Sequence, residues 1–162
     1  MFKQKKIIIF TIFFSFLFLF FMENNIKAQN AISLSITPPI FETMIQPGKE
    51  VKQTYSIENL GGDTLLTPKI VYFTPSDENG NVELTDVQAP EWVKYESSPF
   101  AIKSLERIDF NVIISPPNNI SETDHFLTLV FETDKPTDIL GQNSSLYKTQ
   151  IGSNILLTIS KD

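Results

Sequence analysis

The segment Ile108–Ile114, which reads Ile-Asp-Phe-Asn-Val-Ile-Ile, decides the fold of this chain. Every second residue from Ile108 onward is apolar, and Asp109 and Asn111 stand between these positions. Because successive side chains of a strand point to opposite faces, this alternation predicts a half-buried β-strand. Pro116–Pro117 ends the strand, since proline has no backbone N–H to donate to a ladder.

The same alternation recurs on both sides of this segment. Residues 32–36 alternate isoleucine and leucine with serine, and residues 51–57 place Val51, Tyr55 and Ile57 on one face. Phe126–Phe131 is almost continuously apolar, which predicts a central strand covered on both faces. Further extended segments are predicted at residues 40–45, 65–73, 82–84, 92–95 and 151–159.

Glycine and proline separate these segments. All ten prolines and all six glycines follow residue 28, which is too frequent an interruption for a helical bundle. Pro38–Pro39 predicts an edge where the first strand changes partner, Pro68 predicts an edge or a bulge, and Asn79–Gly80 predicts a hairpin turn. We therefore predict an all-β domain over residues 31–160, an immunoglobulin-like Greek-key β-sandwich of about 7–9 strands.

A hydrophobic leader precedes the predicted domain. Lys3, Lys5 and Lys6 are followed by the uncharged residues 7–22 and by a polar stretch that ends at Ala28. This order is typical of a signal peptide, here residues 1–28. The alternative is an uncleaved N-terminal anchor helix, because residues 7–22 are only slightly short for a bilayer. Either way, the domain is expected outside the cytoplasm, secreted or at the cell surface, with no membrane contact except through residues 7–22.

The charge of the domain excludes some partners. Removing residues 1–28 takes away four lysines and one glutamate, so the net charge changes from −6 to −9. Nucleic-acid phosphates and anionic lipids repel such a domain, so neither is an expected partner. The chain has no cysteine and therefore no disulfide, which favours a bacterial over a eukaryotic exported protein.

The sequence contains no constellation that predicts catalysis, a metal site or a cofactor. His125 is the single histidine, and a catalytic triad or a histidine metal site requires partners that it lacks. We predict a surface or strand-edge position for it. The turn Asp77–Gly80 has a calcium-loop composition, but Pro75 stands where an oxygen ligand is required. We therefore expect a non-enzymatic protein without cofactors.

Trp92, Tyr95 and Phe100 are the best candidates for partner-binding residues. Aromatic side chains stack on sugar rings and anchor protein partners at interfaces. The alternative for Trp92 is a place in the core, because a single tryptophan of a sandwich often fills the space between the sheets.

Several segments resemble bacterial surface proteins with immunoglobulin-like or fibronectin-III-like domains. The similarity to their opening lies in Pro39–Glu42, Gln46–Gly48 and Glu58–Asn59. The similarity to the first domain of the WxL-interacting, peptidoglycan-binding surface proteins lies in Pro75–Leu84, Arg107–Pro117, His125–Glu132 and Ile151–Leu157. The resemblance implies a sandwich fold and peptidoglycan binding, and it assigns no binding residue. Such proteins usually continue into a second domain and a C-terminal membrane helix, whereas this sequence stops at Asp162.

Three functions follow as hypotheses. The first is an exported surface or cell-envelope module that binds or scaffolds cell-wall glycan or a protein partner. The second is a periplasmic pilus-type chaperone, although such chaperones have two domains and a basic cleft. The third is an accessory domain of a wall-polymer hydrolase. A sheet edge or the end loops would serve the first, because an edge can accept an extended segment as an added strand.

Overall fold

The computed structural model describes residues 32–76, 82–133 and 149–161. The described residues form ten strands and no helix that could cross a membrane. The strands are β1 (Leu34–Thr37), β2 (Ile40–Ile45), β3 (Val51–Asn59), β4 (Thr64–Pro75), β5 (Val82–Gln88), β6 (Val93–Tyr95), β7 (Phe100–Ile102), β8 (Arg107–Ile114), β9 (Thr123–Thr133) and β10 (Gln150–Ile159).

The strands form two sheets that face each other across one core. The smaller sheet has the order β1-β3-β8-β6, and the larger has the order β2-β10-β9-β4-β5, with β7 also paired to β4. All pairs are antiparallel except β2 with β10. The prediction of a two-sheet all-β sandwich is confirmed, with ten strands in the described residues rather than the 7–9 predicted. The strand β9 is central, and Leu127–Phe131 are all buried, as its continuous apolar run predicts.

The first strand changes sheets at Pro38–Pro39, as predicted. β1 pairs with β3 in the smaller sheet, whereas β2 pairs with β10 in the larger one. The buried Ser153 hydroxyl donates to the Pro38 carbonyl oxygen at 2.8 Å, and the Asn154 N–H donates to Pro39 at 3.0 Å. Because both prolines lack an N–H, they end one ladder and begin the next without leaving a buried donor unpaired.

Pro68 lies in a gap of the ladder rather than in an edge strand. β4 is paired along its other side with β9, but β7 covers only Thr64–Leu66 and β5 pairs from Val71 onward. In the gap, the Ile70 N–H donates to Tyr95 Oη at 3.2 Å. Pro68 lies two residues earlier, so its missing N–H faces the same gap. No neighbouring strand needs an N–H from residue 68 at this position, and this is the requirement from which an edge or bulge is predicted.

The chain differs from the prediction in two short strands. β7 has only three residues and no polar–apolar alternation long enough to predict it, and β5 continues four residues beyond the predicted end at Leu84. The hairpin before β5 is confirmed by the antiparallel pairing of β4 and β5. The predicted Asn79–Gly80 turn, the polar loop at 135–145 and the leader 1–28 lie outside the described residues.

Ionisation of Tyr55 is expected to lower the stability of the sandwich at alkaline pH. Burial raises the pKa of this fully buried phenol from 10.0 to about 12, and the Ser153 hydroxyl lowers it in part. The unfolded chain therefore ionises first as pH rises, so the stabilisation is complete below pH 10 and is lost between pH 10 and about 12. We expect roughly 1.4 kcal/mol to be lost by pH 11, about half of the loss over the whole window. Urea unfolding of the protein and of Tyr55→Phe at pH 8 and pH 11 checks this, and equal losses in both would contradict it.

Candidate functional site

A groove opens along one side of the sandwich, between the smaller sheet and β7 of the larger one. Its volume is about 710 Å³. We call it the edge groove, and its lining residues are Lys94, Tyr95, Glu96, Phe100, Ala101, Ile108, Asp109, Phe110, Asn111 and Ile113. These come from β6 and the residue after it, from β7 and from β8. The groove exists because β6 is short and the chain leaves the smaller sheet after Tyr95.

The edge groove runs beside an unpaired length of β8. On one side β8 pairs with β3 along its whole length, but on the other β6 covers only Val112–Ile114. The Ser115 N–H donates to the Trp92 carbonyl at 3.0 Å, so odd-numbered residues of β8 direct their backbone groups to this side. In this register Glu96, the residue after β6, lies opposite Asn111, and no strand of the described chain pairs with Asp109 on that side.

The inner wall of the groove is lined by the rings of Tyr95, Phe100 and Phe110, and Phe131 packs behind them. Phe100 stacks on Phe110 with centroids 6.1 Å apart, and both rings meet the fully buried Phe131 at 6.1 Å and 5.0 Å. Tyr95 lies 6.4 Å from Phe110, and its hydroxyl accepts the Ile70 N–H. Because these rings pack against residues of both sheets, the wall of the groove is formed without a bound partner.

The structure brings two of the three candidate binding residues together. Tyr95 and Phe100 both line the edge groove. Trp92 does not: it packs against the core cluster and meets the His125 ring edge-on, with centroids 5.1 Å apart. Partner binding by Tyr95 and Phe100 stays a prediction, and the structure gives Trp92 the packing position that was its alternative.

His125 lies at an interior end of the sandwich rather than on the surface. Its Nδ1 is 2.8 Å from Tyr72 Oη, and the ring is half-buried between Tyr72 and Trp92. Burial lowers the pKa of His125, and the neighbouring Asp124 raises it in part. The correction has a simple cause, since odd-numbered residues of β9 face the core.

The open edge of β8 beside Asp109 and Asn111 is a candidate functional feature that the sequence did not reveal. Both residues appear there only as the polar positions of an alternating strand. Whether such a strand is paired on both sides depends on where β6 ends. The tertiary structure determines this, not the local sequence. The described ranges contain no group of three acidic, histidine or cysteine residues that could hold a metal ion.

No protein-family model matches the sequence, and no curated protein matches it. Solved structures do match the fold. The ASH/PapD-like domain of human CEP192 is 13% identical with a TM-score of 0.50, over 80% of this chain and 86% of that one. A family 123 glycoside hydrolase from Clostridium perfringens is 9% identical with a TM-score of 0.56, over 80% of this chain and 27% of the enzyme.

A pilus system provides a third match. A chain of the CsuC–CsuE chaperone–tip adhesion subunit pre-assembly complex from Acinetobacter baumannii is 9% identical with a TM-score of 0.50. The match covers 77% of this chain and 56% of that one. These identities establish the fold alone, an immunoglobulin-like, PapD-like β-sandwich. The chain spans about a quarter of the hydrolase and just over half of the matched chain in the pilus complex.

Proposed function

We propose that this domain is an exported, non-enzymatic protein-binding module that accepts an extended segment of a partner as an added strand on β8. The observation that carries the proposal is the edge of β8 at Asp109, which no strand of the described residues pairs, beside a groove with aromatic side chains in its wall. Main-chain hydrogen bonds supply affinity in this binding mode, and pockets for alternate side chains supply specificity. Exposed edges otherwise promote aggregation, so an edge beside a shaped groove favours use by a partner.

A protein segment fits the groove better than a cell-wall glycan. Sugar rings stack on exposed aromatic faces. Here Phe100 packs against Phe110 and Phe131, Tyr95 uses its hydroxyl inside the sandwich, and Trp92 lies against His125. Peptidoglycan binding, which the resemblance to the WxL-interacting proteins implies, therefore has no support from these rings. Unpaired N–H and C=O groups in a row are instead what an extended peptide backbone satisfies.

The comparisons support a chaperone-like role more than an isolated surface scaffold. The CsuC–CsuE complex joins a chaperone to a tip adhesion subunit, and the fold of one of its chains is similar to this one. The basic, uncharged and polar order of residues 1–28 supports export from the cytoplasm. We therefore propose transient holding of a partner protein outside the cytoplasm, and the hydrolase accessory role ranks below it.

Site-specific photo-crosslinking tests the proposal in the cells that produce the protein. Asn111 is exposed at the open edge, so p-benzoylphenylalanine placed there lies within reach of an added strand. We expect irradiation to yield a covalent adduct with a second protein. The matched control places the same residue at Glu42, which is exposed on β2 of the other sheet.

Three results would contradict the proposal. They are the absence of an Asn111 adduct, equal adducts from Asn111 and Glu42, and an adduct that contains only two copies of this chain. Identification of the adduct by mass spectrometry separates these outcomes from the expected one.

A further inference from the structure

We infer which chemistry the added strand must have: it runs antiparallel to β8, buries an apolar side chain opposite Phe110 and places lysine or arginine opposite Asp109. This inference rests on the proposed function and specifies the partner at the same edge. It follows from the register of β6, from the direction in which each β8 side chain points and from the charges around the groove.

The direction follows from the strand that the partner would continue. β6 pairs antiparallel with β8 from Val93 opposite Ile114 to Tyr95 opposite Val112. The chain then turns away, with the Ser98 N–H donating to Glu96 Oε1 at 3.0 Å, and crosses to β7 in the other sheet. β6 therefore covers only one end of β8, and the ladder does not continue along the other end. A partner in line with β6 restores the same ladder, and antiparallel pairing is the more stable arrangement per residue.

The inward position requires an apolar side chain. Phe110 and Ile108 point into the sandwich, and residues directly opposite one another lie on the same face. The partner residue opposite Phe110 therefore enters the edge groove beside Phe100 and Phe110. An ionised side chain there would lose its water without gaining a counter-charge from the rings. Valine, isoleucine or leucine suits this position.

The outward position requires a positive charge. Asp109 is exposed, and the described residues hold no ion pair to it. The nearby Arg107 donates its Nε–H at 2.7 Å to Ser56 on β3, the residue paired with Asp109 on the side of β8 opposite the open edge. Glu96 adds a second carboxylate to the groove. A lysine or arginine opposite Asp109 forms a cross-strand ion pair, whereas a glutamate there is repelled.

The positive charge of Lys94 does not remove the preference for lysine or arginine opposite Asp109. It pairs with Ile113, four residues along β8 from Asp109, which corresponds to roughly 13 Å at the rise of a strand. At physiological salt, charges separated by more than about 8 Å are largely screened at the surface. The Asp109 carboxylate is therefore the charged group nearest the partner residue opposite it, with Arg107 drawn toward β3 on the other side.

Two capped peptides test the inference by NMR titration of the processed, isotope-labelled protein. The first is Thr-Val-Lys-Val-Thr, and the second carries Glu in place of Lys. We expect the backbone amide signals of Asp109 and Asn111 to shift saturably, with the lysine peptide binding about five times more tightly. Asp109→Lys should reverse the preference and Asp109→Asn should abolish it. N-methylation of the central peptide residue should weaken binding about tenfold, because it removes a main-chain donor.

If both peptides shift these amide signals with equal affinity, the inferred charge preference is wrong, whereas strand addition itself is still supported. Shifts that map to another surface, or an unchanged preference in Asp109→Lys, would also overturn it. The proposed function itself fails on a different result, the absence of a partner adduct at Asn111.

Discussion

Replacing Phe131 with alanine is expected to lower the free energy of unfolding by about 4 kcal/mol, the cost of removing a buried aromatic ring and leaving a cavity. Phe131 is fully buried on the central strand β9. Its ring meets Phe110 at 5.0 Å and Phe100 at 6.1 Å, so it joins the larger sheet to the wall of the edge groove. Chemical denaturation followed by fluorescence or circular dichroism measures the loss.

Phe126→Ala is the matched control for this prediction. Phe126 lies on the same strand but on the outer face, where it is 42% exposed and meets Phe73 at 5.9 Å. Its removal leaves a surface depression rather than a cavity, so we expect a loss of about 1 kcal/mol. Similar losses in the two variants would show that Phe131 does not occupy the packed core position described for it.

The alternating pattern that predicts β8 also explains why much of the fold could be predicted. Phe110, Val112 and Ile114 are buried, as expected from their spacing. The position of Pro38–Pro39 was equally informative, because a residue without an N–H can be placed in few parts of a ladder. In these cases a local steric or periodic constraint determines the structure, and a single sequence contains such constraints.

The edge groove could not be predicted in the same way. β7 is three residues long, too short for its period to be recognised. Tyr95 and Phe100 meet Phe110 only because the chain crosses between sheets after β6. Trp92 is only three residues before Tyr95, and nothing in its type indicates that it packs on His125 instead. Separation along the sequence does not determine which side of a sandwich a residue occupies.

Asn59 is a residue whose importance appears only in the structure. At the end of β3 its side chain is completely buried, although in the sequence it looks like an ordinary turn residue. Its Nδ2 lies 2.9 Å, 3.3 Å and 3.1 Å from the carbonyl oxygens of Gly62, Ile102 and Lys103, and its Oδ1 accepts the Gly61 N–H at 3.0 Å. The side chain therefore joins the turn after β3 to the end of β7, which carries part of the groove.

Asn59→Ala is expected to lower the free energy of unfolding by about 3 kcal/mol, because buried carbonyls and an N–H lose their partner at once. Asn59→Asp should be at least as damaging, since a carboxylate would face three carbonyl oxygens. The same Asn→Ala change at exposed Asn111, which accepts one hydrogen bond from Thr54 at 2.8 Å, should cost less than about 1 kcal/mol. Urea unfolding of the four proteins measures these differences. If Asn59→Asp were as stable as the parent, the amide donors could not hold β7 in place, and the proposed support of the groove would be wrong.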